Sequence, residues 1–322
     1  MKDNFPIIDL HCDTASEMLD GRSLYQNDGM VSIEKLKSGG VFCQFFAMYI
    51  NMADHASPSD GYEHLKKMHS NFMKELEHNG EHIALAKTAS EISAICEVGK
   101  IAAGKIVAVL TIEEGGVLDG KIERLDELYR MGVRLITISW NNENCLCSPH
   151  SPMSELMNRG LKPFGIEAVK RMEELGIIVD VSHLSDGGFW DVAKISKKPF
   201  VASHSNAHCL CGHTRNLTDD MLKALADAGG VTGINFYHKF LGSDETGSIA
   251  QMVSHIKHIR KVAGIDILAM GSDFDGFKGP CGLLDCSQFP HLTDALSKAG
   301  FHDDEIEKIC WKNALRVIQQ AL

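Results

Sequence analysis

The stretch "IIDLHCDTAS", residues 7–16, is a short apolar run that ends in reactive side chains. Neighbouring side chains on a strand point to opposite faces, so His11 and Asp13 share one face while Cys12 takes the other. An open dinucleotide-binding sheet carries G-x-G-x-x-G at the turn after its first strand. This chain carries His-Cys-Asp there instead. Taken alone, His11 and Asp13 are either two ligands for one metal or an ordinary ion pair.

Working outward, the same kind of run recurs. After "FPIIDLH" (5–11) come "VFCQFFAMY" (41–49), "KIVAVLTIEE" (105–114), "VRLITISW" (133–140), "GIIVDVSH" (176–183), "PFVASHS" (199–205), "GVTGINFY" (230–237) and "DILAMGSDF" (266–274). Longer helical patterns separate them. The helix within 57–80 has Ser57 and Ser59 as cap residues and stops at Gly80. The next, within 163–176, has Pro163 at its start, Ile166, Val169, Met172 and Leu175 at helical spacing and Gly176 at its end. Thr218 caps a helix that closes near Gly229, and one helix is expected over 303–322. Apolar strands alternating with amphipathic helices mean a parallel sheet covered by helices. About eight such units predict an α/β fold, a (β/α)8 TIM-like barrel with residues 1–322 as one domain. A doubly wound open sheet is the alternative.

The formal net charge of −11, spread along 322 residues, argues against nucleic acid or an anionic membrane as partner. No apolar run approaches the ~18 residues of a membrane-spanning helix, and the first residues show no secretory signal. A cytoplasmic location is the expectation, with the ten cysteines as free thiols. The C-x-C pairs Cys145/Cys147 and Cys209/Cys211 have poor spacing for a structural zinc site.

Barrel active sites lie at the C-terminal ends of the strands. Those ends supply His11 and Asp13, Glu113 and Glu114, His183, His204, Asp273 and Asp275. Imidazoles with carboxylates suit a divalent metal, zinc above all, with manganese or iron as alternatives. The candidates exceed what one catalytic zinc needs, which suggests two metals about 3.5–4 Å apart sharing a carboxylate. Any one of these residues alone is more often a satisfied polar group than a ligand; their common placement carries the argument. His64, His69, His78 and His82 lie in a helix and the loop after it. His208 and His213 lie in a loop, and His255 and His258 on the expected solvated face of a helix. Arg215 is either a surface charge or a guanidinium fork for a substrate carboxylate.

These segments, together with "DLHCDT", "EEGG", "GLKPFGIEAVKRMEELGIIVDVSHLS", "SHSNAHCLCGHTRNLTDDML", "GSDFDG" and "NALRV", resemble the zinc-dependent membrane dipeptidases (renal dipeptidases, peptidase family M19), whose bacterial members are soluble. The resemblance runs nearly end to end and is most specific around His183 and from His204 to Arg215. It implies a barrel of the metallo-dependent hydrolase type with two Zn2+. His11 and Asp13 would bind the first zinc, Glu114 would bridge both, and His183 and His204 would complete the second. Arg215 would hold the substrate carboxylate, and Asp273 would shuttle a proton at a bridging hydroxide. Several members carry a substrate-binding histidine where this chain has Trp140, whose indole N–H donates one hydrogen bond but cannot titrate.

The implied reaction is hydrolysis of a dipeptide, with a D-residue tolerated at the C-terminal position. The partner is thus a small dipeptide, with a homodimer left open. A metal hydrolase acting on another small amide, cyclic amide or lactone is the rival, because barrels host many chemistries. A binding protein on an inactivated scaffold is a third reading, disfavoured because the expected ligands are all present. The segment 144–160, "NCLCSPHSPMSELMNRG", is long for a barrel connection, so it is either a lid or plain surface.

Overall fold

A computed structural model describes residues 5–96, 105–243 and 246–322. Its strands are β1 (Ile7–Cys12), β2 (Val41–Tyr49), β3 (Ile83–Leu85), β4 (Ile106–Glu113), β5 (Val133–Thr137), β6 (Ile178–Asp180), β7 (Val201–Ala202), β8 (Val231–Ile234) and β9 (Leu268–Met270). β2 pairs with both β1 and β4, and the ladder runs on through β5, β6, β7, β8 and β9 back to β1. All pairings are parallel. Eight strands therefore close into a barrel, one for each apolar run. β3, which is none of the eight apolar runs, pairs only with Ile106–Ala108 of β4 and lies outside the ring.

Helices sit where the cap signals place them. Pro58–His78 starts behind Ser57, whose side chain accepts from the Asp60 N–H. Pro163–Leu175 ends at Gly176 with φ 77°, a left-handed turn that glycine adopts without a Cβ penalty. Thr218 caps Asp219–Asp227. The expected helix over 303–322 runs without a break from Asp303 to Ala321, with a π turn at Lys308–Lys312 inside it. Directly after that turn, the Asn313 amide donates to the carbonyls of Ile265 and Leu268, tying the helix to the entry of β9.

The barrel's polarity is set by strand parity. On β4 the helix-facing side chains Ile106, Ala108, Leu110 and Ile112 join the core between barrel and helices, while Val107 and Val109 join a second core inside the ring. Ala314, Leu315, Val317 and Ile318 pack with Ile8, Phe42, Val107 and Val231, so the C-terminal helix plugs the strands' N-terminal end. Further along the strands the inner face becomes polar: Thr111, Thr137, Asp180 and Ser203, which continue the parity of Val109, Leu135, Ile178 and Val201, are all buried. That layer forms the floor of the site.

Candidate metal centre

The strand ends converge on three overlapping groups whose ligand atoms lie within 4.8 Å of one another: His11, Asp13 and Glu113; Glu113, His183 and His204; and His11, His204 and Asp273. Glu113 holds the middle. Its Oε1 is 2.9 Å from His183 Nε2 and 3.4 Å from His204 Nε2, and its Oε2 is 3.6 Å from His11 Nε2. Asp13 Oδ2 and Asp273 Oδ1 flank His11 Nε2 at 3.4 and 3.8 Å. Each carboxylate oxygen of Glu113 thus addresses a different donor set.

Glu114 is not in this cluster, which corrects the residue chosen from the resemblance. β4 keeps its alternation through Glu113, so the inward parity of Val107 and Val109 falls on Thr111 and then Glu113. At Glu114 the chain leaves the strand with φ 126°, outside the region ordinary side chains favour. Its carboxylate turns back and accepts from Gly116 N–H (2.6 Å), Trp140 N–H (3.0 Å) and Asn144 Nδ2 (2.6 Å). The glycine pair permits this fold-back. A Cβ at Gly116 would lie 2.5 Å from Glu114 Oε1, and one at Gly115 2.9 Å from the Ile138 carbonyl.

The electrostatics fit a cation that is to be held there. Burial alone would lower the His11 pKa, but the carboxylates of Glu113 and Asp13 against it prevail and hold it well above the ordinary imidazole value. Burial, reinforced by Glu113, pushes Asp13 up to about 8. His183 is held well below its ordinary value by burial and by Arg215. His11 Nε2 and Asp13 Oδ1 are buried without a hydrogen-bond partner. Buried polar atoms are normally satisfied, so an unpartnered imidazole nitrogen and carboxylate oxygen within this cluster fit a divalent ion replacing protons. Gly276 completes the cradle: a Cβ there would sit 2.2 Å from Asp13 Oδ2 and 2.6 Å from Asp273 Oδ1. His183 (φ 67°) and Asp273 (φ 65°) are left-handed non-glycine residues, a conformation that concentrates at functional sites.

Buried partners fix the candidate ligands. Ser203 Oγ donates to Asp180 Oδ2 (2.6 Å) and meets His204 Nδ1 at 2.7 Å. Thr137 Oγ1 adds a 2.5 Å bond to the same Asp180 oxygen. With its proton committed to Asp180, Ser203 accepts the Nδ1 proton of His204 and leaves Nε2 free to ligate. Asn235 Nδ2 holds Asp273 Oδ2 at 2.9 Å. Asp275, the other acid of "SDFDG", is structural, bonded to Met30 N–H and Thr14 Oγ1.

Arg215 is not a surface charge: it is 4% exposed. Its guanidinium donates to Ser205 Oγ and the His204 carbonyl, and its Nε has no partner. Burial lowers its pKa to about 10, which leaves it cationic at neutral pH. Cys12 joins the outer core, opposite His11 and Asp13; Ile8 and Leu10 at the same parity join the inner core, because the register of β1 shifts between Asp9 and Cys12. His255 departs from its expected solvated position. It is fully buried, accepting from Ala207 N–H and reaching the Leu241 carbonyl. The cysteines of both C-x-C pairs are free thiols.

A cleft of about 860 Å³ opens over the centre. Tyr49 and Trp140, edge to face with ring centroids 4.8 Å apart, line it together with Tyr237, Phe240 and Phe277. The Trp140 ring stands 6.3 Å from that of His183. Segment 144–160 is no detached lid: Asn144 bonds Glu114 and the Ile138 carbonyl, and Pro149 bridges to Leu184.

Residues 1–322 match the model of the membrane dipeptidases, peptidase family M19. The chain belongs to that family. An uncharacterized protein in the pqqA 5' region of Klebsiella pneumoniae is 36% identical over 249 residues, covering 75% of this chain and 90% of that protein. An uncharacterized dipeptidase of Schizosaccharomyces pombe is 39% identical over 220 residues, 66% of this chain and 53% of its own length. A metallo peptidase from Rhodobacter sphaeroides, crystallised with a phosphinate mimic of the dipeptide L-Ala-D-Ala, superposes with TM-score 0.88 at 25% identity, covering 99% of this chain and all of that one. Among the described residues no helix is long and apolar enough to cross a membrane.

Proposed function

We propose that this M19 protein is a binuclear, zinc-dependent dipeptidase that accepts a D-residue at the C-terminal position. The observation that carries the reading is Glu113, one carboxylate common to two donor groups. His11, Asp13 and Glu113 would hold one ion, and Glu113, His183 and His204 the other. Imidazole and carboxylate donors of this kind suit zinc. A bound ion pair supplies an activated water at neutral pH and polarises the scissile carbonyl.

The chain's own residues do the rest. Asn235 occupies Asp273 Oδ2, which leaves Oδ1 turned toward the metal ligands to take the proton of the attacking water and pass it to the leaving amine. Ser205 and the His204 carbonyl hold the Arg215 fork, which would pair with the substrate's C-terminal carboxylate. That pairing selects dipeptides over longer chains, because a third residue would move the carboxylate away from the fork. The aromatic walls receive the side chains and exclude water. The L-Ala-D-Ala mimic bound by the Rhodobacter sphaeroides enzyme supports the stereochemical preference.

Metal analysis of the purified protein alongside turnover of an L-D dipeptide panel tests the reading. Two metals per chain with L-D dipeptides cleaved is the expected result. Two metals with no dipeptide cleaved would overturn it in favour of another small amide or lactone as substrate.

A further inference from the structure

We propose that Asn141 is a positioning residue that fixes the ring tautomer of His183, and that His150 and Thr214 extend it into one hydrogen-bonded chain reaching the loop of Arg215. The inference rests on His183 being a metal ligand. Asn141 Oδ1 lies 2.9 Å from His183 Nδ1 and 2.9 Å from His150 Nε2. A carboxamide oxygen only accepts, and its two lone pairs can serve two donors. Both rings must therefore present N–H to it.

For His183, a proton on Nδ1 leaves the lone pair on Nε2, the atom 2.9 Å from Glu113 Oε1 and 3.0 Å from His204 Nε2. The opposite amide orientation would force the proton onto Nε2 and remove the ligand. For His150, a proton on Nε2 leaves Nδ1 as acceptor, and Thr214 Oγ1 donates to it at 2.7 Å. The whole chain then has one consistent polarity.

The backbone adds a second clamp. The His150 N–H donates to the His183 carbonyl at 2.7 Å, and Ser139 Oγ reaches the same oxygen at 3.3 Å. Together they hold His183 at its left-handed φ of 67°. Segment 144–160, which looks in sequence like a lid or plain surface, thus grips a metal ligand through His150 at two points. Thr214 immediately precedes Arg215, so the chain also joins the metal centre to the proposed carboxylate fork.

Asn141→Leu and Asn141→Asp test the role. Asp keeps an acceptor at the Oδ1 position, and Leu keeps only the volume. Zn2+ dissociation constants from chelator competition are one readout. The second is the 15N signature of His183 in the metal-free protein, where the Nδ1–H tautomer is expected. Asn141→Leu should weaken zinc binding by about 10–100-fold and abolish the single tautomer, while Asn141→Asp should bind within a few-fold of wild type. Wild-type zinc affinity in Asn141→Leu, or an Nε2–H tautomer in the wild-type protein, would overturn the proposal. So would a loss of metal-free thermal stability with zinc affinity unchanged. Because neither readout uses a peptide, a wild-type protein that binds zinc but cleaves no dipeptide would refute the proposed reaction and leave this inference standing.

Discussion

Two adjacent glutamates should respond in opposite ways to the same substitution. Glu113→Gln replaces a carboxylate common to two donor groups with an amide that offers one neutral oxygen. Metal content should fall from two per chain to one or none, and turnover with it. Glu114→Gln should leave the metal content intact and act on stability instead. Its Oε1 accepts from Gly116 N–H and Asn144 Nδ2, and its Oε2 from Trp140 N–H. Glutamine can keep its oxygen at the first position, but its NH2 then faces the Trp140 N–H. One buried donor left without an acceptor costs about 1–3 kcal/mol. At roughly 2–4 °C per kcal/mol in a chain of this order of size, the melting temperature of metal-free protein should drop by about 2–12 °C. Calorimetry in chelator gives the stability, and elemental analysis after reloading gives the metal. A Glu114→Gln protein that loses a metal while Glu113→Gln keeps both would refute the strand-parity argument and the placement built on it.

Three further outcomes follow from the same geometry. Asp273→Asn should lower kcat by about 10²–10⁴-fold with metal content unchanged; a wild-type kcat would remove Asp273 from proton transfer. Arg215→Met should raise KM for dipeptides by roughly 10–150-fold, the equivalent of about 1.5–3 kcal/mol for a charge-assisted contact, and an unchanged KM would count against the carboxylate fork. Burial pushes the buried His255 down to about 4 from 6.5. The unfolded chain therefore takes up that proton first as pH falls, so stability is full above about 6.5 and is lost progressively toward 4, by roughly 3 kcal/mol. Calorimetry of metal-free protein across that window should show a flatter pH dependence for His255→Asn, and parallel curves would show that His255 is not held neutral.

The sequence by itself determined the barrel. Eight apolar runs alternating with capped helices leave few ways to bury both faces of every strand, and each run became one strand of the closed ring. It also placed His11, Asp13, His183, His204 and Asp273 at one end, because function collects where parallel strands finish. The choice between Glu113 and Glu114 needed a different signal. In "IVAVLTIE" (106–113) the polar residues Thr111 and Glu113 share one parity with Val107 and Val109, which marks the inward face; proximity to the glycine pair marks only the turn.

Tertiary structure alone decided what holds the ligands. Asn141 and His150 follow β5, Asp180 ends β6, Ser203 and Thr214 follow β7 and Asn235 follows β8, and the hydrogen bonds that cross from one of these strand ends to another exist only once the ring has closed. No periodicity encodes such contacts, because they depend on neighbours across the barrel rather than along the chain. The burial of Arg215 and His255 has the same origin. A charged or titratable side chain on a loop or helix becomes interior only when another element covers it, and here those elements are separated from it by many residues.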